Sequence, residues 1–312
     1  MFKKKYPVII DTDPGVDDAL SLITMLRSPK RFDIKLMCSV SGNVKIGITT
    51  NNMLHLLENF NPHIPAAEGE EGPRIKGKQV DASNVHGVGG LGDYQIPKVY
   101  EKTVNFNSAL EGYVKVLSEA KKPIYLLTLG PLTNVATLVK THPELLCKIK
   151  RVYSMIGSYN GAGNAHKGSY AEFNTYCDTK ALDTVINSGL HVVFLPMELG
   201  HDTKIAKSEF AKVEVTNPAI NMIKQMVLGV NETVVDNDYF AVYDLHVPAA
   251  ISCPNLYKFK RCTATVNTNE NDERFGQVFL TPNKHGNHSV VYIKNTKKLA
   301  NKIFKELYQG IL

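Results

Sequence analysis

The chain has 312 residues, 43% of them hydrophobic and 21% charged, an ordinary balance for a globular protein, and we expect a single domain spanning residues 1–312. The 36 basic residues are spread along the chain, which argues against a nucleic-acid partner, and no run approaches the ~18 apolar residues of a membrane span. The five cysteines are widely spaced and odd in number, which favours reduced thiols and a cytoplasmic protein over a disulfide framework.

The stretch YPVIIDTDPGVDDAL, at residues 6–20, combines a strand, a turn and the start of a helix. Residues 8–10 are β-branched, which predicts a buried strand. Pro14 and Gly15 break that strand, and the apolar spacing over residues 16–27 predicts a helix. The acidic residues of this stretch therefore fall at the end of a strand and the beginning of a helix.

Four aspartates lie within eight positions of this stretch: Asp11, Asp13, Asp17 and Asp18. Carboxylates this close repel one another unless a positive charge lies between them. Capping of the helix N-terminus explains one such acid, but four acids indicate a site for a hard cation. Oxygen ligands without histidine or cysteine favour calcium or magnesium over zinc.

The motif DTDPGVDDA closely resembles the N-terminal signature of the inosine-uridine-preferring nucleoside hydrolases. That resemblance implies an enzyme that cleaves the N-glycosidic bond of ribonucleosides, with a bound calcium ion and an aspartate base. It implies Asp13 and Asp18 as calcium ligands and Asp17 as the base that takes a proton from water. Asp11 is then expected behind the ligands, orienting them.

The next segments repeat the order of strand, turn and helix. Residues 34–40 predict a buried strand and residues 46–60 a helix, which indicates an open, mostly parallel, twisted sheet with helices on both faces. Ligands of such sheets bind beyond the carboxyl ends of the strands. Asn43 stands at such an end; its spacing predicts only a turn residue, and the family resemblance implies contact with the ribose.

Residues 68–95 form a long glycine-rich loop, a length often associated with functional lids. Gly87, Gly89 and Gly92 match the spacing of a dinucleotide-binding motif, but no buried strand precedes them, so we reject that interpretation. We expect instead a mobile loop that presents His86. The family resemblance implies that this loop closes over the base.

Two further strand ends carry predicted site residues. Residues 124–129 predict a strand before GPLTN, where the resemblance implies that the Leu129 carbonyl binds calcium. Residues 150–156 predict the next strand, and the resemblance implies that Met155 packs under the ribose ring. The glycine- and asparagine-rich loop that follows predicts, on its own, a turn and a helix start. Resemblance implies substrate binding by four of its residues: Asn164, Glu172, Phe173 and Asn174.

The last predicted site residues follow a strand at residues 191–195 and a largely helical region at 207–242, which contains a second lid around 234–240. His201 and Asp202 are too few ligands for zinc, and we expect them to cap the next helix. In VYDL, the resemblance implies Asp244 as a calcium ligand, but Tyr243 stands where the family has histidine. We expect Tyr243, helped by His86, to hydrogen-bond and position the leaving base.

The C-terminal part predicts a small antiparallel addition, since residues 257–268, 275–281 and 288–293 alternate like edge strands, and a closing helix at 296–309. The expected protein is a calcium-dependent ribonucleoside hydrolase. The family resemblance also implies a homodimer or homotetramer. Two alternatives remain. A haloacid-dehalogenase-type phosphatase also has D-x-D after a hydrophobic strand, and the replacement at Tyr243 is compatible with a non-catalytic nucleoside- or ribose-binding relative.

Overall fold

The computed structural model describes residues 5–73, 75, 80–97, 101–231 and 237–309, with side chains described as far as residue 303. Part of the predicted second lid, residues 234–236, lies outside this set. Among the described residues, the strands are β1 (Tyr6–Thr12), β2 (Phe32–Ser39), β3 (Ala66–Ala67), β4 (Ile124–Thr128), β5 (Ile149–Met155), β6 (Val192–Leu195), β7 (Ile205–Ala206), β8 (Tyr239–Phe240), β9 (Tyr257–Val266), β10 (Val278–Pro282) and β11 (His288–Ile293).

In the described part of the chain, nine strands form one sheet in the order β10-β9-β11-β6-β5-β4-β1-β2-β3. Strand β1 pairs in parallel with β2 and β4, and the parallel pairing continues through β5 and β6 to β11. Among the described strands of this sheet, β9 alone runs in the opposite direction, and it pairs antiparallel with β10 and β11 at one end of the sheet. The expected mostly parallel sheet is confirmed, and the antiparallel C-terminal addition extends this same sheet. A separate antiparallel pair joins β7 and β8.

Helices cover both faces of the sheet, as expected. One apolar core packs residues such as Leu20 and Met53 against the sheet, and a second core on the other side contains Leu117, Val135 and Leu182. The helices described are α1 (Val16–Leu26), α2 (Ile46–Phe60), α3 (Ser83–His86), α4 (Ala109–Glu119), α5 (Thr133–Thr141), α6 (Phe173–Cys177), α7 (Thr179–Ile186), α8 (Glu198–Asp202), α9 (Lys207–Lys212), α10 (Pro218–Leu228), α11 (His246–Ser252) and α12 (Thr296–Gln309), with 3₁₀ helices at Pro143–Lys148 and Pro254–Leu256.

Two expectations about local structure were wrong. His201 and Asp202 do not cap the next helix; they form the end of α8, and α9 begins without a side-chain cap. The region 207–242 is less helical than expected, since α9 and α10 are followed by the short strand β8. Both errors arise where short elements are fixed by tertiary contacts that local spacing does not record.

The parallel pairing brings the carboxyl ends of β1, β2, β4, β5 and β6 to the same edge of the sheet. The segments that carry the predicted site residues follow these strands directly, so the fold gathers them at one edge. None of the described helices is both long enough and apolar enough to cross a lipid bilayer.

Candidate active site

Three buried carboxylates converge at the carboxyl edge of the sheet. Asp17 and Asp18 lie in the first turn of α1, and Asp244 lies just before α11. Each offers an oxygen atom, and these atoms all lie within 4.8 Å of one another. Asp17, which the family resemblance makes the base, therefore belongs to the same close group as two of the predicted calcium ligands.

Asp18 is held firmly by its neighbours. Its Oδ1 accepts a hydrogen bond from the Thr12 hydroxyl at 2.6 Å, and its Oδ2 accepts from the Gly15 amide at 3.1 Å and from Asn43 Nδ2 at 2.9 Å. The bond from Gly15 caps the start of α1. Helix capping thus explains one of the contacts of Asp18. It does not explain why the other aspartates converge at the same place.

Asp13 lies at the end of β1 and is nearly inaccessible to solvent. Its Oδ2 accepts a hydrogen bond from the Asn43 amide at 2.8 Å, but its buried Oδ1 has no hydrogen-bond partner among the described residues. A Cβ atom at residue 130 would overlap this carboxylate, so the glycine of the GPLTN motif permits the close approach. An unpartnered carboxylate oxygen beside three other acids suits a cation with oxygen ligands.

The electrostatics of the cluster lead to the same conclusion. Burial raises the pKa of Asp13 and the pKa of Asp244 well above the usual range, and the charges of Asp18 and Asp17 raise both further. The protein alone therefore disfavours the ionised state of these acids. A bound cation reverses that balance, because the attraction of the opposite charge favours the carboxylate form. The donor set, which consists of oxygen atoms, fits calcium or magnesium.

Asp11 lies deeper than the other acids. Its Oδ2 accepts hydrogen bonds from the Tyr113 hydroxyl at 2.5 Å and from Asn134 Nδ2 at 2.9 Å. Burial raises the pKa of Asp11 to about 7. The side chain does not line the cavity described next, which agrees with an orienting role behind the ligands.

A cavity of about 720 Å³ opens above the acid cluster, within the range of roughly 300–1,000 Å³ typical of small-molecule sites. Eleven of the fourteen predicted site residues line it, so the structure brings the separate sequence motifs together in one place. These eleven are Asp17, Asn43, His86, Leu129, Met155, Asn164, Glu172, Phe173, Asn174, Tyr243 and Asp244. The other three, Asp11, Asp13 and Asp18, lie beneath the cavity floor.

Asparagine and glutamate side chains form one wall of the cavity. Asn174 donates both hydrogens of Nδ2, to the Leu129 carbonyl at 2.7 Å and to the Met155 carbonyl at 3.0 Å. Glu172 caps α6 and accepts from the Asn174 amide at 2.8 Å and the Gly157 amide at 3.0 Å. The predicted helix start after this loop is therefore present, and its capping residue also faces the cavity.

The amides of this wall and of Asn43 have fixed orientations. Asn43 donates through Nδ2 to the Asp13 carbonyl at 3.1 Å as well as to Asp18, so its Oδ1 remains as the ligand-facing acceptor. The same reasoning applies to Asn174. Asn164 is reversed, because its Oδ1 accepts from the Phe173 amide at 2.8 Å and its Nδ2 remains as a donor.

His86, Tyr243 and Phe240 also line the cavity. The Val16 amide donates to His86 Nδ1 at 3.2 Å, and since an amide N–H can only donate, Nδ1 carries no proton and the proton lies on Nε2. Burial lowers the pKa of His86 to about 4. His86 is therefore a neutral hydrogen-bond donor near pH 7. The bond from the Val16 amide excludes a doubly protonated, cationic His86 that could act as an acid.

Several lining residues were not predicted from the sequence. Val230 and Phe240 add apolar surface, and His166 and Lys167 lie at the exposed rim on the loop that follows β5. Phe240 belongs to the region expected to form a second lid, so the loop pattern contained a usable signal. Val230 follows the end of α10, and no feature of the sequence marks it.

A cavity that gathers carboxylates at the carboxyl edge of an open parallel sheet is the usual ligand-binding place of an α/β protein. Comparison with known proteins then identifies the family. The model of the inosine-uridine preferring nucleoside hydrolases matches residues 8–305, so the chain belongs to that family and is an enzyme of the nucleoside hydrolase class. This membership rules against both the phosphatase and the non-catalytic alternative.

Individual relatives agree with this assignment. The chain is 31% identical over 264 residues to the non-specific ribonucleoside hydrolase RihC of Klebsiella pneumoniae strain 342, covering 85% of this chain and 84% of the relative. It is 30% identical over the same length to RihC of Escherichia coli O9:H4 strain HS, with the same coverage.

Solved structures share the fold. A plant nucleoside hydrolase, PpNRh1, superposes with a TM-score of 0.86 at 23% identity, covering 97% of this chain and 99% of that one. A purine-preferring ribonucleoside hydrolase from Gardnerella vaginalis gives a TM-score of 0.85 at 21% identity, covering 96% of this chain and 98% of that one.

Proposed function

We propose that this protein hydrolyses the N-glycosidic bond of ribonucleosides to ribose and free base, with calcium bound at the acid cluster. The observation that carries the proposal is the convergence of Asp17, Asp18 and Asp244, two of which line a cavity whose wall is lined with amides. The relatives named as non-specific ribonucleoside hydrolases support ribonucleosides as the substrate class.

The calcium ligands in this proposal are Asp13, Asp18, Asp244 and the Leu129 carbonyl. The unpartnered Oδ1 of Asp13 and the raised pKa values of Asp13 and Asp244 support it, because a cation satisfies both. When bound, calcium supplies a positive centre that orients the vicinal ribose hydroxyls and makes a nearby water more acidic. Asp11 holds the floor of the site through Tyr113 and Asn134.

Asp17 is the proposed general base. Of the four aspartates in the N-terminal motif, it alone lines the cavity, so its carboxylate can reach a water beside the sugar. As Asp17 takes a proton from the water, the water oxygen attacks the anomeric carbon of the ribose. The N-glycosidic bond breaks and the nucleobase departs. The sugar acquires oxocarbenium-like positive charge, which the surrounding carboxylates stabilise.

The amide wall is the proposed ribose site. Asn43 and Asn174 each retain Oδ1 as an acceptor for a sugar hydroxyl, whereas Asn164 retains Nδ2 as a donor. Glu172 accepts on Oε1 from only one amide in the described structure, so this oxygen can accept a further bond. Met155 and Phe173 supply apolar surface beside the ring. This pattern of acceptors and donors selects a ribose with free hydroxyl groups.

Tyr243 and His86 are the proposed contacts of the leaving base. An unperturbed tyrosine has a pKa near ~10, so its hydroxyl is a neutral hydrogen-bond donor at pH 7. His86 donates in the same way through Nε2. Two neutral donors stabilise charge on the departing base without transferring a full proton first. Uridine, whose O2 accepts such a bond, is expected to react better than inosine, which benefits from protonation at N7.

We also propose a cytoplasmic homodimer or homotetramer. All five cysteines are free, which is consistent with reduced thiols. Light scattering on the purified protein measures the oligomer directly, and a monomeric mass contradicts this part of the proposal.

The function is tested by incubating the protein with inosine, uridine, cytidine and adenosine in the presence of calcium, and measuring reducing sugar and free base. We expect equal amounts of ribose and base from at least one nucleoside. Binding of nucleosides without release of either product contradicts the proposal.

A further inference from the structure

Helix α8 packs directly behind Tyr243. It follows β6 at the carboxyl edge of the sheet, and its glycine, Gly200, lies against the tyrosine ring. A Cβ atom at residue 200 would overlap that ring, so only glycine allows this approach. The neighbouring His201 meets Tyr243 edge to face, with ring centroids 5.7 Å apart and planes at 71°. Helix α8 therefore provides the surface against which the Tyr243 ring packs.

The same helix turn contains two buried polar atoms that lack partners. Glu198 Oε2 and His201 Nε2 are both buried, and neither has a hydrogen-bond partner among the described residues. The two residues are three positions apart on a helix, so their side chains lie on the same face. Burial lowers the pKa of His201, and the nearby charge of Glu198 opposes that shift. Buried polar atoms without partners are rare in native proteins and are often found at functional sites.

The other carboxylate oxygen of Glu198 holds the start of the loop that follows β5. Its Oε1 accepts hydrogen bonds from the Ser158 hydroxyl at 2.6 Å, the Tyr159 amide at 3.1 Å and the Asn160 amide at 3.2 Å. These three residues begin the loop that carries Asn164. The buried carboxylate of Glu198 thus connects the loop that carries Asn164, here called the ribose loop, with the helix against which Tyr243 packs.

We propose that Glu198 and His201 are positioning residues for Tyr243, holding its hydroxyl towards the leaving base while Glu198 fixes the ribose loop. This inference rests on the proposed function. In it, the imidazole of His201 is oriented by Glu198, and the oriented ring edge fixes the tilt of Tyr243. Neither residue lines the cavity, so neither touches substrate. Their effect on the reaction passes through Tyr243.

The experiment compares two kinds of riboside. Uridine and inosine have leaving groups that need hydrogen bonding, whereas p-nitrophenyl β-D-riboside releases a stable phenolate that needs none. The variant is His201→Phe, which keeps an aromatic edge beside Tyr243 but removes both ring nitrogens, including the buried Nε2 that has no hydrogen-bond partner in the described structure. We expect kcat for the nucleosides to fall about two- to tenfold, since a residue that acts through the Tyr243 hydroxyl cannot cost more than the loss of that hydroxyl. KM and the rate with p-nitrophenyl riboside stay unchanged.

Two further variants define the pathway of the effect. In a Tyr243→Phe background, His201→Phe is expected to cause no additional loss, since residues that act through one another are not additive. The control is His142→Phe, which removes a partly exposed histidine that is paired with Glu144 at 3.0 Å and does not line the cavity, and it is expected to change no rate. If His201→Phe does not fold, Glu198→Gln takes its place, because the amide oxygen can still accept the bonds from the ribose loop.

Three results overturn the inference. The first is a His201→Phe enzyme with wild-type kcat on nucleosides. The second is an equal loss on nucleosides and on p-nitrophenyl riboside, which indicates general damage. The third is an additive loss in the double variant, which means that His201 does not act through Tyr243. Failure of the proposed function looks different, since the wild-type enzyme then releases no ribose from any of the three substrates.

Discussion

The two edges of the parallel sheet hold titratable groups of opposite type, acids at the carboxyl edge and a histidine beside two arginines at the amino edge. At the carboxyl edge, burial and mutual repulsion raise the pKa values of Asp13 and Asp244. At the amino edge, just before β6, burial and the positive charges of Arg151 and Arg261 lower the pKa of His191 to about 4. Each edge therefore concentrates groups whose charged forms are disfavoured by their surroundings.

The edges differ in whether those groups find partners within the protein. His191 accepts from Arg261 Nη1 on Nδ1 at 3.0 Å, and its Nε2 contacts the Ser289 hydroxyl at 3.1 Å. At the carboxyl edge, Asp13 Oδ1 has no hydrogen-bond partner in the described structure. Polar groups that have hydrogen-bond partners within the protein, as at the amino edge, stabilise the fold. Polar groups without partners beside a cavity indicate that a ligand binds there. Substitutions at the two edges should therefore affect different properties.

The largest expected effect is that of Asp17→Asn at the carboxyl edge. The amide keeps the shape of the side chain but cannot take a proton, and loss of a general base typically costs ~10²–10⁴ in rate. We expect kcat to fall by that factor while calcium and nucleoside still bind. The matched control is Asp33→Asn, an exposed aspartate that pairs with Lys35 at 2.8 Å, which is expected to keep full activity. A near wild-type kcat for Asp17→Asn contradicts the assignment of Asp17 as the base.

A smaller effect is expected for Tyr243→Phe, which removes one hydroxyl from the base side of the same cavity. Loss of one hydrogen bond made in the transition state lowers kcat about tenfold, equivalent to ~1.4 kcal/mol, with little change in KM. Tyr243→His is expected to improve inosine more than uridine, because imidazole can protonate a purine. Steady-state kinetics on both nucleosides measure this. Full activity of Tyr243→Phe on both substrates leaves the tyrosine with a packing role only.

The smallest effect is expected at the amino edge. The folded-state pKa of His191 is about 4, below its usual 6.5, so its contribution to stability is present above pH 6.5 and is lost as the pH falls towards 4. The ring is half-exposed, and solvent screening reduces the effect to about 1 kcal/mol. His191→Gln should flatten this acid-induced loss in urea unfolding, with kcat unchanged. A change in kcat without a change in the pH profile contradicts the separation of the two edges.

Much of this architecture could be predicted from the sequence because its signals are local. The β-branched run before Asp11 marks β1, and the apolar spacing of residues 46–60 gives the observed bounds of α2. Helix α7 was missed, although Asp178 caps it and Leu182 and Val185 have helical spacing.

The site was less predictable, because much of it depends on contacts between distant segments. The residues placed by family resemblance reach one cavity, but their roles remain predictions. Glu198 and His201 could not be found this way, since their meaning depends on Tyr243, more than forty positions further along the chain. The fixed tautomer of His86 likewise depends on the Val16 amide, which only the folded chain brings near.

The most direct test of the central claim is the return of calcium to metal-stripped protein. Protein treated with EGTA is assayed for ribose release from uridine and for thermal unfolding while calcium, magnesium or zinc is added. We expect calcium to restore activity and to raise stability by about 2.7 kcal/mol at 100 times its dissociation constant. The account is contradicted if stripping changes neither activity nor melting, or if elemental analysis of the active protein finds zinc.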